Sequence, residues 1–221
     1  MFEGKKILIT GGTGSLGQFL TKRLLKDDVD TIRILSRNEG KQIEMENIFD
    51  DSRLRFFLGD VRDEDRLVKA TEDIDIVFHT AALKHVTKIE YNPFEGIKTN
   101  VMGSQNVINA CTINNVEKVV CVSTDKAVSP LNTYGATKLL AEKLFVTANN
   151  YIDPDKHRTK FIALRYGNVA GSSGSVIPKF IQQLQNKQEI TVTDLQMTRF
   201  SITMDEALDF ILQAIELGQG S

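Results

Sequence analysis

The chain has 221 residues, 41% of them hydrophobic and 25% charged, with a formal net charge of -2. That length and apolar content suffice for one well-buried core, and the near-neutral, interleaved charge excludes an obvious nucleic-acid or membrane-surface partner. Cys111 and Cys121 lie in apolar stretches with no second cysteine at metal or redox spacing, and His79, His85 and His157 show no ligand spacing, so a reducing compartment and no metal site are expected.

From Met1 the chain passes into a short strand without a signal-peptide pattern, and no apolar run approaches the ~18 residues of a membrane span. A soluble, cytoplasmic protein is therefore expected. Short apolar runs then alternate with longer amphipathic segments, the pattern of a parallel sheet flanked by helices. The spacing predicts strands over Lys6–Thr10, 31–35, Leu54–Leu58, 74–79, Lys118–Val122 and 161–166. Their Ile, Val, Leu and Phe content shows little alternation, as in strands buried on both faces. Helices are predicted over 15–26, Glu39–Phe49, Glu64–Thr71, 93–114, 134–149 and Val176–Gln185, with Pro93 at a first helical position. A last helix is expected after Thr203, which forms a capping box with Glu206 ahead of Leu208, Ile211, Leu212 and Ile215. Composition turns polar after Gly167, with Asn168, Ser172, Ser173 and Ser175. The expected fold is thus α/β: a Rossmann-type doubly wound parallel sheet over 1–167, followed by a small substrate-facing lobe over 168–221.

The first strand runs into Gly11-Gly12-Thr13-Gly14-Ser15-Leu16-Gly17 and then a helix. Glycines at this spacing allow a tight turn, a bare backbone where a pyrophosphate approaches, and close helix–strand packing. The helix start supplies N–H groups and a favourable field for phosphates. Dinucleotide choice is read at the end of the second strand, where an acidic residue would bind a ribose hydroxyl. Here stand Ser36 and Arg37, with Lys41 a turn later. Cations suit a 2′-phosphate, so NADP is favoured over NAD, with ordinary surface cations as the competing reading. Asp60 and Val61 follow the third strand, Asp60 placed for the adenine edge. Ala81, Ala82 and Lys84 follow the fourth, near the expected nicotinamide side. Lys84 is a candidate for cofactor or substrate contact, with a plain surface lysine as the alternative.

Tyr134 and Lys138 sit four apart at a helix start, on one face. A nearby ammonium favours the phenolate, which can then act as a base. The preceding strand ends in Ser123-Thr124-Asp125-Lys126.

These residues, with the glycine spacing, resemble an extended short-chain dehydrogenase/reductase acting on nucleotide sugars. Within that group the chain is similar to the inverting UDP-N-acetylglucosamine 4,6-dehydratases and related polysaccharide-biosynthesis proteins. The closer resemblance is carried by Leu83-Lys84-His85-Val86, Glu90-Tyr91-Asn92-Pro93-Phe94-Glu95, Lys98-Thr99-Asn100-Val101, Thr124-Asp125-Lys126-Ala127, Arg165-Tyr166-Gly167-Asn168-Val169 and Met197-Thr198-Arg199-Phe200.

The resemblance implies an internal redox reaction on a UDP-N-acetylhexosamine. Tyr134 takes the proton of the sugar 4-hydroxyl, hydrogen-bonded by Thr124, while hydride passes from C4 to NADP+. Lys138 holds the tyrosine as phenolate and binds the nicotinamide ribose. Lys126 removes the C5 proton, Asp125 protonates the departing 6-hydroxyl, and hydride returns to C6. Asn168 and Arg199 fit the sugar-nucleotide pocket, Asn100 a structural role, and His85 packing or an interface. The pair Asp125-Lys126 favours elimination over simple 4-epimerisation, which needs no such pair. A UDP-sugar 4-epimerase stays open, as does an NADP-binding protein without turnover. The resemblance also implies a homo-oligomer joined through the long helices, and relatives on the order of a hundred residues longer at the C-terminus, so that this chain reads as a fragment or a minimal form.

Overall fold

In the computed structural model, which describes residues 1–171, 176–192 and 194–220, the apolar runs pair edge to edge into one wholly parallel sheet. Ser172, Ser173 and Ser175 of the polar stretch lie outside the described residues. The strands are β1 (Lys6–Thr10), β2 (Thr31–Ser36), β3 (Leu54–Leu58), β4 (Ile76–His79), β5 (Lys118–Val122) and β6 (Lys160–Leu164), in the order β3-β2-β1-β4-β5-β6. The chain starts in the middle, winds outward through β3, then returns past β1 to β4. That reversal opens a crevice at the carboxyl ends of β1 and β4, the place where such sheets bind ligands.

Among the central strands β4 is buried throughout, β1 and β5 apart from their first residues, and β2 apart from Thr31 and Arg33, whereas the edge strands β3 and β6 are only partly covered. Two expected strands are shorter than their apolar runs. β4 begins at Ile76 because Asp73 turns in the left-handed region at φ 58, and the Asp75 carboxylate accepts from the Lys6 N–H. β6 stops at Leu164, after which the Tyr166 carbonyl accepts from the Asp125 N–H.

Helices α1 (Ser15–Leu24), α2 (Glu39–Phe49) and α3 (Glu64–Thr71) follow the first three strands. The single helix expected over 93–114 runs from Pro93 to Ile113 with a widened turn inside it. It consists of α5 (Pro93–Gly96), a π-helical turn (Ile97–Met102) and α6 (Gly103–Ile113), preceded by α4 (Val86–Tyr91), which the sequence did not announce. Asn92, at φ -127, ends α4, and Pro93 opens the next turn. α7 (Thr133–Tyr151) starts where the Asn132 side chain accepts from the Gly135 N–H at 2.8 Å. α8 (Val176–Gln185) and α9 (Met204–Leu217) complete the described helices, and α9 carries the Thr203/Glu206 capping box.

Side-chain alternation along the strands feeds two cores. Ile7, Ile9 and Phe78 face α1 and α9 through Leu20, Leu24, Ile211 and Ile215. Leu8, Val77 and Val119 face α3, α6 and α7 through Leu67, Val107 and Phe145. Each fully buried side chain of this size contributes about 1.5–3 kcal/mol of apolar transfer energy. Packing therefore crosses the boundary drawn at residue 167: α9 completes the sheet's first core. α8, by contrast, has no buried residue. A two-stranded parallel sheet of β7 (Asn168–Val169) and β8 (Ser201–Ile202) joins the start of the second segment to the chain just before α9. Among the described residues, no helix is long and apolar enough to cross a membrane.

Candidate active site

Gly11 adopts φ +69, and a Cβ there would lie 2.7 Å from the Ala81 Cα. The turn after β1 thus needs glycine twice over, for its handedness and for the approach of the loop after β4. At Gly17 a Cβ would overlap the Gly12 backbone, so helix and turn pack without a side chain between them. At Gly14 it would meet only the Gly11 carbonyl, at 3.2 Å, and Gly14 caps α1 without a side-chain bond. The start of α1 is left as bare backbone at the crevice, flanked by buried Thr13 and by Leu16, which packs on the core. These features fit a pyrophosphate.

At the end of β2, Ser36 is buried and its hydroxyl accepts from Gln42 Nε2 at 3.0 Å. Arg37 and Lys41 are exposed, and the Lys41 N–H is capped by the Asn38 side chain. Asp60 is engaged by its neighbours. Arg62 Nε and Nη2 donate to its Oδ2 at 2.9 and 2.7 Å, and Arg37 Nη1 stands 3.5 Å from the same oxygen. Burial raises the Asp60 pKa, but the Arg62 hydrogen bonds and the Arg37 charge outweigh it and leave the carboxyl below its ordinary value. Val61 is buried beneath Gly103.

At the end of β5, Thr124 caps a short 3₁₀ turn (Asp125–Ala127) and donates to Asp125 Oδ1 at 2.9 Å. Lys126 Nζ bridges Asp125 Oδ1 at 3.0 Å and Asn168 Oδ1 at 2.8 Å. The pair lies in the cleft with its side chains about one quarter to one third exposed. Burial raises Asp125, yet hydrogen bonds from Lys126 and Thr124 bring its pKa below the usual value. Asp125 is therefore a carboxylate here, although the acid role implied by resemblance starts from its protonated form.

Tyr134 also differs from the sequence expectation in its resting state. Burial pushes its phenol up to about 12; the Thr124 hydroxyl works against this and the Asp125 charge adds to it. Buried Lys138 directs its ammonium at the Val122 carbonyl, 2.7 Å away, and not at the phenol. The phenol of Tyr166 lies close enough for the Tyr134 charge to raise its pKa, after the larger effect of burial.

Behind these residues runs a buried network in which Asn100 takes the structural role expected of it, while Thr10, His79 and Ser104 join it unannounced. Ser104 Oγ donates to the Asn100 carbonyl at 2.7 Å, so it accepts from His79 Nε2 at 3.1 Å. His79 Nδ1 is then the acceptor for Thr10 Oγ1 at 2.8 Å, which in turn receives the Ala81 N–H at 3.4 Å. The Asn100 side chain accepts from the Leu83 N–H at 2.8 Å and donates to the Leu83 carbonyl at 2.9 Å and to Thr137 Oγ1 at 3.0 Å. The π-helical turn and β4 thus hold the backbone of 81–83 beside Gly11. Thr10 and His79 are register partners on adjacent strands, a pairing that the fold makes and the sequence does not mark.

Lys84 follows β4 with an exposed side chain, and partial desolvation lowers its pKa. Arg199 is not brought to the catalytic group: it is exposed and donates to the Thr198 carbonyl and the Met197 sulfur of its own loop. The loop itself is close, since the Asn168 N–H donates to the Phe200 carbonyl at 2.8 Å, and only a glycine at 167 leaves room for that carbonyl.

The sheet order, the glycine turn and the Tyr134/Lys138 pair beside β5 define an extended short-chain dehydrogenase/reductase. The chain belongs to the polysaccharide biosynthesis protein family, whose model matches residues 7–221. It is 51% identical to a UDP-N-acetylglucosamine 4,6-dehydratase (inverting) of Campylobacter jejuni, over 100% of this chain and 66% of that protein. It is 45% identical to a UDP-glucose 4-epimerase of Rickettsia bellii, over 99% of this chain and 64% of that protein. The solved structure of Pen from Bacillus thuringiensis superposes with a TM-score of 0.95 at 44% identity, covering 99% of this chain and 68% of that one. The chain thus spans about two thirds of the length of the curated relatives it matches.

Proposed function

We propose that the chain forms the dinucleotide-binding and catalytic part of an NADP-dependent 4,6-dehydratase. Its substrate would be UDP-N-acetylglucosamine and its product a C5-inverted 4-keto-6-deoxy sugar for polysaccharide or glycoconjugate synthesis. The observation that carries this reading is the Asp125–Lys126 pair, set 3.0 Å apart in the cleft beside Tyr134 and steadied by Thr124 and Asn168. Gly11, Thr13, Gly14, Ser15, Leu16 and Gly17 would hold the pyrophosphate, and Ser36, Arg37, Lys41, Asp60 and Val61 the adenosine end. Ala81, Ala82, Lys84, Tyr134 and Lys138 would line the nicotinamide end. When bound, the dinucleotide would supply the hydride acceptor for C4 and then the hydride donor for C6.

Tyr134 first gives its own proton to solvent, and its phenolate Oη then accepts the proton of the 4-hydroxyl, with Thr124 orienting that oxygen. The ketone at C4 acidifies the proton on C5. Transfer of one proton along the Lys126–Asp125 hydrogen bond converts ammonium and carboxylate into amine and carboxylic acid, the two forms elimination requires. Lys126 Nζ then takes the C5 proton while Asp125 gives its proton to the departing 6-hydroxyl as water. The step returns the pair to the charged state found in the structure. Asn168 keeps Lys126 aimed, and Lys84 and Arg199 are assigned to the sugar nucleotide.

A 4-epimerase is the second reading, favoured by the Rickettsia relative. Incubation of the chain with UDP-N-acetylglucosamine and NADP in deuterated water separates them. The dehydratase reading expects a 6-deoxy-4-keto product with deuterium at C5, and an Asp125→Asn variant that loses water elimination. A C4 epimer that keeps its 6-hydroxyl overturns it. We further place the protein in the cytoplasm, where its buried free thiols Cys111 and Cys121 stay reduced, and as a homo-oligomer.

A further inference from the structure

We propose that Arg62 sets the cofactor preference without touching the cofactor, by holding the charge of Asp60 and so leaving Arg37 to a phosphomonoester on the adenosine ribose. The inference rests on the NADP reading above.

Asp60 is an acid at a place meant for an anion. Standing alone, it would repel a 2′-phosphate and capture the nearest guanidinium. Arg62 prevents both. It chelates the carboxylate with Nε and Nη2 on Oδ2, at 2.9 and 2.7 Å, and with its backbone N–H on Oδ1, at 3.0 Å. Its remaining terminal nitrogen, Nη1, donates to Glu95 at 3.1 Å, and Glu95 is paired in turn with Lys98. The guanidinium is thus pinned between two carboxylates from different elements, the loop after β3 and α5, and does not swing away.

Arg37 approaches the same Asp60 oxygen only to 3.5 Å, beyond a normal N–H···O bond. Its side chain is 53% exposed at the end of β2, the strand end where dinucleotide folds read the ribose. It is oriented by a charge contact while its donors remain available. A paired fork on a carboxylate is stronger than a single contact, so Arg62 wins Asp60 and Arg37 does not. With Arg62 removed, Arg37 is the next cation in reach of Asp60 and closes on it. The site then loses its phosphate fork and gains the field of an uncovered carboxylate. NAD, without the phosphate, meets Asp60 only through the adenine that both dinucleotides carry, and so loses less than NADP.

The test is calorimetric titration of the full chain with NADP+ and with NAD+, in wild type, Arg62→Gln, Arg37→Gln and the double variant. We expect Arg62→Gln to weaken NADP+ about tenfold while NAD+ stays within about twofold. The double variant is expected to bind NADP+ no worse than Arg37→Gln alone, since Arg62 acts through Arg37. Arg62→Lys, which keeps the charge but not the fork, is expected to fall between wild type and Arg62→Gln, and it carries the test if the glutamine variant does not fold. Parallel losses for both dinucleotides, an unchanged ratio, or additive losses in the double variant overturn the inference. A wild type that does not prefer NADP+ overturns the NADP reading and this inference with it. A preference that survives in Arg62→Gln overturns only the role of Arg62.

Discussion

His79 shows how one side chain acquires chemistry that its sequence position hides. It ends β4 with no water-facing atom, stacks on Phe145 at 5.8 Å between centroids, and bonds through both ring nitrogens. One nitrogen donates and the other accepts, so the neutral ring satisfies the network and a second proton would have nowhere to bond. Burial, helped by the charge of Lys138, lowers its pKa from 6.5 to about 3. In the unfolded chain the imidazole protonates below 6.5, and in the folded chain it does so only near 3. The unfolded state therefore binds the extra proton throughout that window, and stability falls as pH falls through it, by at most about 1.4 kcal/mol per pH unit from this group. Urea unfolding of wild type and His79→Gln at pH 7 and pH 5 checks this. The variant is expected to be less stable at pH 7 but to lose less on acidification; equal losses would remove His79 as the source. The resting state of Tyr134 carries the same lesson. Its spacing to Lys138 is plain in the sequence, but whether the phenol is ionised depends on burial and on where the ammonium points, which spacing does not encode.

At the scale of elements, what the sequence announced was whatever has a local cause. The run Lys6–Thr10 became β1 because β-branched and leucine side chains there find cover on both faces. Asn38 and Thr203 mark helix starts because their side chains accept from N–H groups three residues on. The π-helical turn has no such mark. Apolar residues continue through 93–114 at helical spacing, and the widened turn is favoured by a distant partner, the Leu83 backbone, that only the fold supplies. The two-residue strands β7 and β8 are too short to show a period. Arg62 meets Asp60 locally, two residues away, but nothing in the sequence pairs it with Glu95, which only the fold brings to the loop after β3. Local and non-local devices should also fail differently. Thr203→Ala removes one cap and is expected to cost about 1 kcal/mol of stability, with dinucleotide affinity unchanged. Asn100→Ala leaves the Leu83 N–H and carbonyl without their partner, and is expected to cost about 1–3 kcal/mol and to weaken NADP+ binding by loosening 81–83. Chemical denaturation together with titration distinguishes the two. An Asn100 variant that is destabilised yet binds normally would show that the turn is structural only.

For the whole molecule, the outer face formed by α6 and α7 remains to be accounted for. A groove of about 790 Å³ runs between them, lined by Val101, Ile108, Leu140, Leu144, Tyr151 and Ile152 among others. Ile113, Leu140 and Tyr151 on this face are exposed by 61%, 51% and 83%. Contiguous apolar surface of this kind is uncommon on monomers. The two helices are neighbours, so a two-fold axis through the groove would set α6 and α7 of one copy against those of another in a self-complementary contact. A stable pair needs about 800 Å² from each partner, and two helices of 11 and 19 residues are long enough to provide it. We propose this face as the seat of the homo-oligomer that the resemblance implies. A dimer at micromolar concentration is predicted, measured by light scattering on a sizing column. Ile113→Lys with Leu140→Lys, placing four like charges across the two-fold contact, is predicted to give the monomer. Dinucleotide affinity is expected to hold in that variant, because Leu140 points away from the cleft into which Lys138 is buried. A wild-type monomer, or a variant that remains dimeric, would move the interface elsewhere.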